Sequence, residues 1–124
     1  MNKQKNKGDA AEREAAKLLA EATGLPVRRK LGAGRTNAAG GDTGDLEGIP
    51  KTVIQIASYS NPNVPCLKKP REVELQRKNA RARFAASLIR WPRGRGPDKW
   101  RVVLTIPQFA KLLMAALKKW KNCD

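Results

Sequence analysis

Apolar residues recur along this chain in two rhythms. In residues 9–23, DAAEREAAKLLAEAT, Ala11, Ala15, Leu18, Leu19 and Ala22 fall three and four apart, which gathers them on one stripe of a helix. The segment consists of strong helix formers. Gly24 is placed to end it and Pro26 prevents its resumption. Residues 107–120, PQFAKLLMAALKKW, repeat the rhythm with larger side chains. Phe109, Leu112, Leu113, Ala116, Leu117 and Trp120 line one side, and Pro107 opens the helix. That stripe reads as core, with part of it suited to a homodimer surface. A third helix is predicted over 70–83, PREVELQRKNARAR, with Pro70 in its first turn. Its apolar face is thin (Val73, Leu75, Ala80) and its outer face is basic.

The second rhythm is that of strands. Residues 51–59, KTVIQIASY, are rich in β-branched residues and read as a strand buried on both faces. FAASLIRW and KWRVVLTI are two more strands, joined by the basic hairpin loop PRGRGPD. PVRRKLG is a short strand, and NPNVP is an irregular connection. Residues 32–44, GAGRTNAAGGDTG, show no hydrophobic period and form a long loop, the kind that carries function or moves. With the hairpin that turns at Gly48-Ile49-Pro50, the order is α-β-β-β-α-β-β-α. This predicts an α/β fold: one domain over 1–124, a central mixed sheet flanked by helices, with residues 1–6 disordered.

Charge changes the picture. The chain of 124 residues carries a formal +15, and the excess is uneven: net +3 over residues 1–62 and net +12 over residues 63–124. Such a field on a small domain predicts an anionic polymer as partner, nucleic acid first. Histidine is absent, which excludes Ser-His and Cys-His catalysis, histidine zinc sites and an imidazole base. Cys66 and Cys123 form no metal-ligand spacing and are expected as free thiols in a reducing compartment. No apolar run approaches the roughly 20 residues of a spanning helix, and no secretory h-region follows the polar start. The expected location is the cytoplasm of a bacterial cell, whether the gene is the host's or a phage's.

Four segments carry the candidate chemistry: KGDAAERE at the first helix, GDLEG after the glycine loop, the strand VIQIASYSN, and ELQRKNARA on the helix over 70–83. In this order they resemble the PD-(D/E)XK nuclease superfamily, and more narrowly the Holliday junction resolvases of archaea and bacteriophages. The resemblance spans about Lys7 to Trp120. It implies a helix glutamate, a loop aspartate and a strand acid around Mg²⁺ or Mn²⁺, with a strand carbonyl as a further ligand. A lysine two residues after the strand acid would orient the attacking water. Hard cations need such concentrated oxygen charge to give up water, and the metal then activates a water and neutralises the transition state.

Carried onto this chain, the helix glutamate is Glu12 and the aspartate is Asp45. The strand acid falls on Gln55, the lysine on Ala57, and the ligand carbonyl on Ile56. Half of the catalytic set is therefore replaced. Losing one preorganised transition-state group commonly costs about 10²–10³ in rate. The reading that follows is a branched-DNA-binding protein, expected as a homodimer, with metal-dependent cleavage weakened or lost. Two rivals stand beside it. In one, the enzyme is active and takes a migrated acid from Glu72 or Glu74 and a cation from Lys51, Lys68 or Lys69, with Asp42 and Glu47 adding charge at the loop. In the other, a basic interaction protein reuses the fold.

Each residue also has a plainer reading. Glu12 and Glu14 alone read as solvated helix charges, Asp45 as a turn aspartate, and Gln55 as a buried amide in a structural hydrogen bond. The basic residues Arg13, Arg29, Lys30, Arg35, Lys68, Lys69, Arg77, Arg81, Arg93 and Arg95 bracket the site and suggest a phosphate track. Ser58 and Tyr59 stand at the rim of the strand, within reach of the same phosphates.

Overall fold

The structure is a computed structural model that describes residues 3–30, 44–92 and 96–121. Helix α1 spans Lys3–Thr23, strand β1 Arg28–Arg29, β2 Leu46–Glu47 and β3 Thr52–Ala57. Helix α2 spans Asn63–Ala80, β4 Phe84–Arg90, a 3₁₀ turn Gly96–Lys99, β5 Trp100–Val103 and α3 Ile106–Lys121. The predicted α/β order is therefore present, as an α/β domain with a mixed sheet flanked by helices. In that sheet β4 is central: it pairs parallel with β3 and antiparallel with β5. Parallel pairing requires a crossover, and α2 supplies it. A small antiparallel ladder, β1 with β2, closes beside β3. Gly48 turns the chain after it at φ +99, where an added Cβ would run into the Pro26 carbonyl.

Alternation along β3 and β4 divides the core into two layers. Ile54 and Ile56, with Ala86 and Leu88, pack on Ala11, Ala15 and Ala16 of α1, and Val27 and Leu46 close that layer. Val53 and Ala85 point the other way and meet Val73 of α2. The alanine stripe of α1 is what lets helix and sheet approach closely.

Three expectations need correction. Helix α2 begins at Asn63, so NPNVP is helical in its second half and Pro70 lies inside the helix, not in its first turn. Pro70 lacks an amide hydrogen for the preceding turn. Burial of Pro65 before it and Val73 after it holds both flanks, and such tertiary packing is what stabilises most helices. The strand PVRRKLG shrinks to Arg28 and Arg29 among the described residues. The third correction concerns α3. Its apolar stripe is not core: Phe109, Leu112, Leu113, Leu117 and Trp120 are all exposed. The helix instead sits on its polar side. Gln108, 2% exposed, accepts the Ala85 amide at 3.0 Å where the β5 ladder has ended, and Lys111 Nζ donates to the Arg83 carbonyl at 3.2 Å.

Candidate functional site

Asp45 is positioned by the glycine before it. Gly44 has φ +100, and a Cβ there would lie 2.8 Å from Val53 Cγ1 and 3.1 Å from the Ile54 carbonyl. Only a glycine lets the backbone run this close to β3. Asp45 then docks on the strand edge twice. Its amide donates to the Ile54 carbonyl at 2.9 Å, and its Oδ2 accepts the Ile56 amide at 2.8 Å. Its own carbonyl accepts the Lys30 amide at 2.9 Å. The structure thus brings together Asp45 and Ile56, two members of the expected set.

Glu12 is buried on α1 and receives Arg29 Nε at 3.3 Å, while the same guanidinium reaches Asp9 at 3.1 Å. Arg29, expected on a phosphate track, therefore ties β1 to two carboxylates of α1. Glu14 ties α1 to the far strands: Arg90 meets Oε1 at 3.1 Å and the Trp100 indole donates to Oε2 at 2.6 Å. Periodicity places Glu14 only on a helix, and nothing in the spacing announces partners so far along the chain.

Gln55 is 7% exposed and lies on the α2 face of β3. Its Nε2 donates to Glu72 Oε2 at 3.1 Å, and Lys69 Nζ meets the same oxygen at 3.0 Å. A carboxylate and an ammonium from one turn of α2 thus converge on the strand position where the resemblance expects an acid. The amide is matched to this arrangement, because a glutamate at 55 would set one carboxylate against another. Burial pushes the Glu72 carboxyl up, but hydrogen bonds from Lys69 and Gln55 and the charges of Lys69 and Lys68 outweigh it, so the group sits below its ordinary value. The other half of the amide is unsatisfied: Gln55 Oε1 is buried without a hydrogen-bond partner, as is Ser87 Oγ, directly across the ladder on β4. Ala57, 3% exposed, closes the position where the resemblance expects a lysine.

Glu12 and Asp45 would fit half of a divalent-metal set, and Gln55 could add only a neutral oxygen. Among the described residues no three carboxylates or thiols gather closely enough to hold a metal ion. The residues present do not make up the full expected set.

The carboxyl ends of β3 and β4 open into a shallow cleft of about 320 Å³, lined by Ser58, Tyr59, Ser60, Arg90, Trp91, Pro92 and Lys99. In sheets of this type ligands gather outside the carboxyl ends of parallel strands. Lys69 stands 5.8 Å from the Tyr59 ring, which links the Gln55–Glu72 group to the rim of the cleft. Of the other predicted basic contacts, Arg13, Lys68 and Arg81 are exposed and Lys30 is half-buried. Arg77 is held by Glu74 at 3.1 Å and donates to the Ala82 carbonyl at 3.1 Å, which secures the end of α2. Arg35, Arg93, Arg95 and Asp42 lie outside the described residues. No helix of the described residues is long and apolar enough to cross a membrane.

Two features lay beyond sequence reasoning. Gln108 serves as a surrogate strand partner, and the Glu14–Arg90–Trp100 tie joins α1 to the far edge of the sheet. Comparison of the chain with family models, with curated proteins and with solved structures found no match.

Proposed function

We propose that this protein binds branched DNA in the manner of a Holliday junction resolvase, with metal-dependent phosphodiester cleavage weakened or lost. The observation that carries the reading is at β3. Asp45 is clamped on the strand edge, while the next two motif positions hold an amide engaged by Glu72 and a buried alanine. A net +12 over residues 63–124 supports DNA as the partner, and the cleft bearing Ser58, Tyr59 and Lys99 is where a phosphate would sit.

The test is a labelled four-way junction against a matched linear duplex, with and without Mg²⁺ or Mn²⁺. The expected result is retention of the junction over the duplex, no nicking, and affinity that falls steeply with salt. Lys99→Ala should weaken both substrates alike and lower the salt slope by about one. Absence of DNA binding at low salt would sink the proposal and favour a protein partner.

One observation favours a second reading, an active nuclease. Glu72 and Lys69 bring to Gln55 the two charge types that the strand lacks. On that reading metal-dependent nicking occurs, and Glu72→Gln lowers it about 10²–10³-fold, the range for loss of one preorganised group.

A further inference from the structure

Helix α3 presents its apolar side outward. Ile106 is 80% exposed and Trp120 73%, with Phe109, Leu112, Leu113, Met114 and Leu117 exposed between them. The helix is anchored from the opposite side by Gln108 and Lys111. Taken together, these seven exposures equal about four fully exposed large side chains, on the order of 800 Å² at ~200 Å² each. A soluble monomer's largest apolar patch is usually ~300–600 Å². One partner in a standard interface contributes about 800 Å².

The order of residues along α3 says what covers this surface. The sequence is symmetric in character about Leu113. Ile106 mirrors Trp120, Phe109 mirrors Leu117, Ala110 mirrors Ala116, and Leu112 mirrors Met114. A second α3 laid antiparallel, with a two-fold axis at Leu113, would match large residues with large and alanine with alanine along the seam. That is the self-complementarity an isologous contact requires. Two chains of +15 repel at long range, but no charged position falls within the stripe between Ile106 and Trp120. Helical spacing puts Lys111, Lys118 and Lys119 away from the stripe and brings only the Lys121 position beside it, at its very end; the other residues next to it are Ala110, Ala116, Leu112 and Met114. We propose that two copies of this chain associate through an antiparallel α3–α3 seam centred on Leu113. The inference rests on α3 alone and is independent of the DNA reading.

The test is sedimentation of the full chain together with disulfide trapping. The wild type should sediment as a dimer. Leu113→Glu should halve the mass and leave far-UV circular dichroism unchanged. In a background of Cys66→Ser and Cys123→Ser, Leu113→Cys should cross-link to its own copy under mild oxidation. Ile106→Cys should not, because the two 106 positions would stand about 21 Å apart at 1.5 Å per residue. A wild type of monomer mass at every concentration would overturn the proposal, whether or not the chain co-floats with anionic vesicles. A dimer that survives Leu113→Glu would move the interface elsewhere. Cross-linking at both Ile106 and Leu113 would make the seam parallel, and cross-linking at Ile106 alone would move its centre; either would overturn the geometry.

Discussion

Helices α1 and α3 carry the same kind of signal and meet opposite fates. Both show apolar residues at helical spacing. The stripe of α1 is mostly alanine, and Ala11, Ala15 and Ala16 vanish against Ile54, Ile56, Ala86 and Leu88. The stripe of α3 is far bulkier, and it faces solvent while Gln108 and Lys111 hold the helix to β4. Hydrophobicity alone would have ranked α3 as the more buried helix. The difference teaches that periodicity defines a face without saying what covers it. The α2 side of the sheet is already filled by Val73 and Pro65, and β4 there offers α3 an unpaired backbone amide, which a glutamine satisfies and a leucine cannot.

Substitutions can break this comparison, the largest effect coming first. Ala11→Glu puts an uncompensated charge in the closed α1 layer, and such a charge costs on the order of 3–5 kcal/mol. Its urea midpoint should fall sharply. Leu113→Glu on dilute, monomeric chain should stay within about 0.5 kcal/mol of the wild type, as surface changes do. Equal losses at the two sites would mean that α3 is core after all.

Next comes the anchor. Gln108→Leu strands the Ala85 amide without its acceptor, and an unsatisfied buried group costs about 1–3 kcal/mol. Amide hydrogen exchange at Ala85 should rise with it. Unchanged stability and protection would mean that α3 is held by something other than this bond.

The smallest effect is at Glu72, and it sharpens the contrast on the α2 face. Its pKa is depressed in the folded chain, so its stabilising contribution is complete above the ordinary value of 4.5 and fades as pH falls through the folded value. Glu72→Gln should therefore lose this small stabilisation at neutral pH, and its stability should converge with the wild type as pH falls below 4.5, giving a flatter acid limb. Because the carboxylate is largely open to solvent, the effect should shrink further in salt. An acid limb identical in the two proteins would remove Lys69 and Gln55 as stabilising partners of this group.

The candidate site was legible in halves. The β-branched run gave away the strand, because buried strands need branched side chains, and the resemblance of GDLEG picked out Asp45; that Gly44 lets the backbone run against that strand is visible only in the fold. Gln55 stood out for the opposite reason, as a polar side chain inside an apolar run. Its partner was legible only as one of several carboxylates. Glu72 is 17 residues away in the chain, and only the βαβ crossover brings it within 3.1 Å. The helix start at Asn63 was hidden because two prolines argue locally against a helix that packing then stabilises.

What this sequence determined by itself is local: which segments coil or extend, where glycine must turn, how the basic charge is distributed, and where a lone amide interrupts an apolar strand. These follow from periods of two and 3.6 residues and from side-chain chemistry, and both act between near neighbours. The tertiary structure alone decided three things: that Arg29 and Arg90 are held by carboxylates of α1, that Glu72 and Lys69 meet at Gln55, and that the α3 stripe turns outward. Each depends on contacts between residues far apart in the chain. Such contacts are selected by the shape of the whole core and by its unpaired polar groups, which no local pattern encodes.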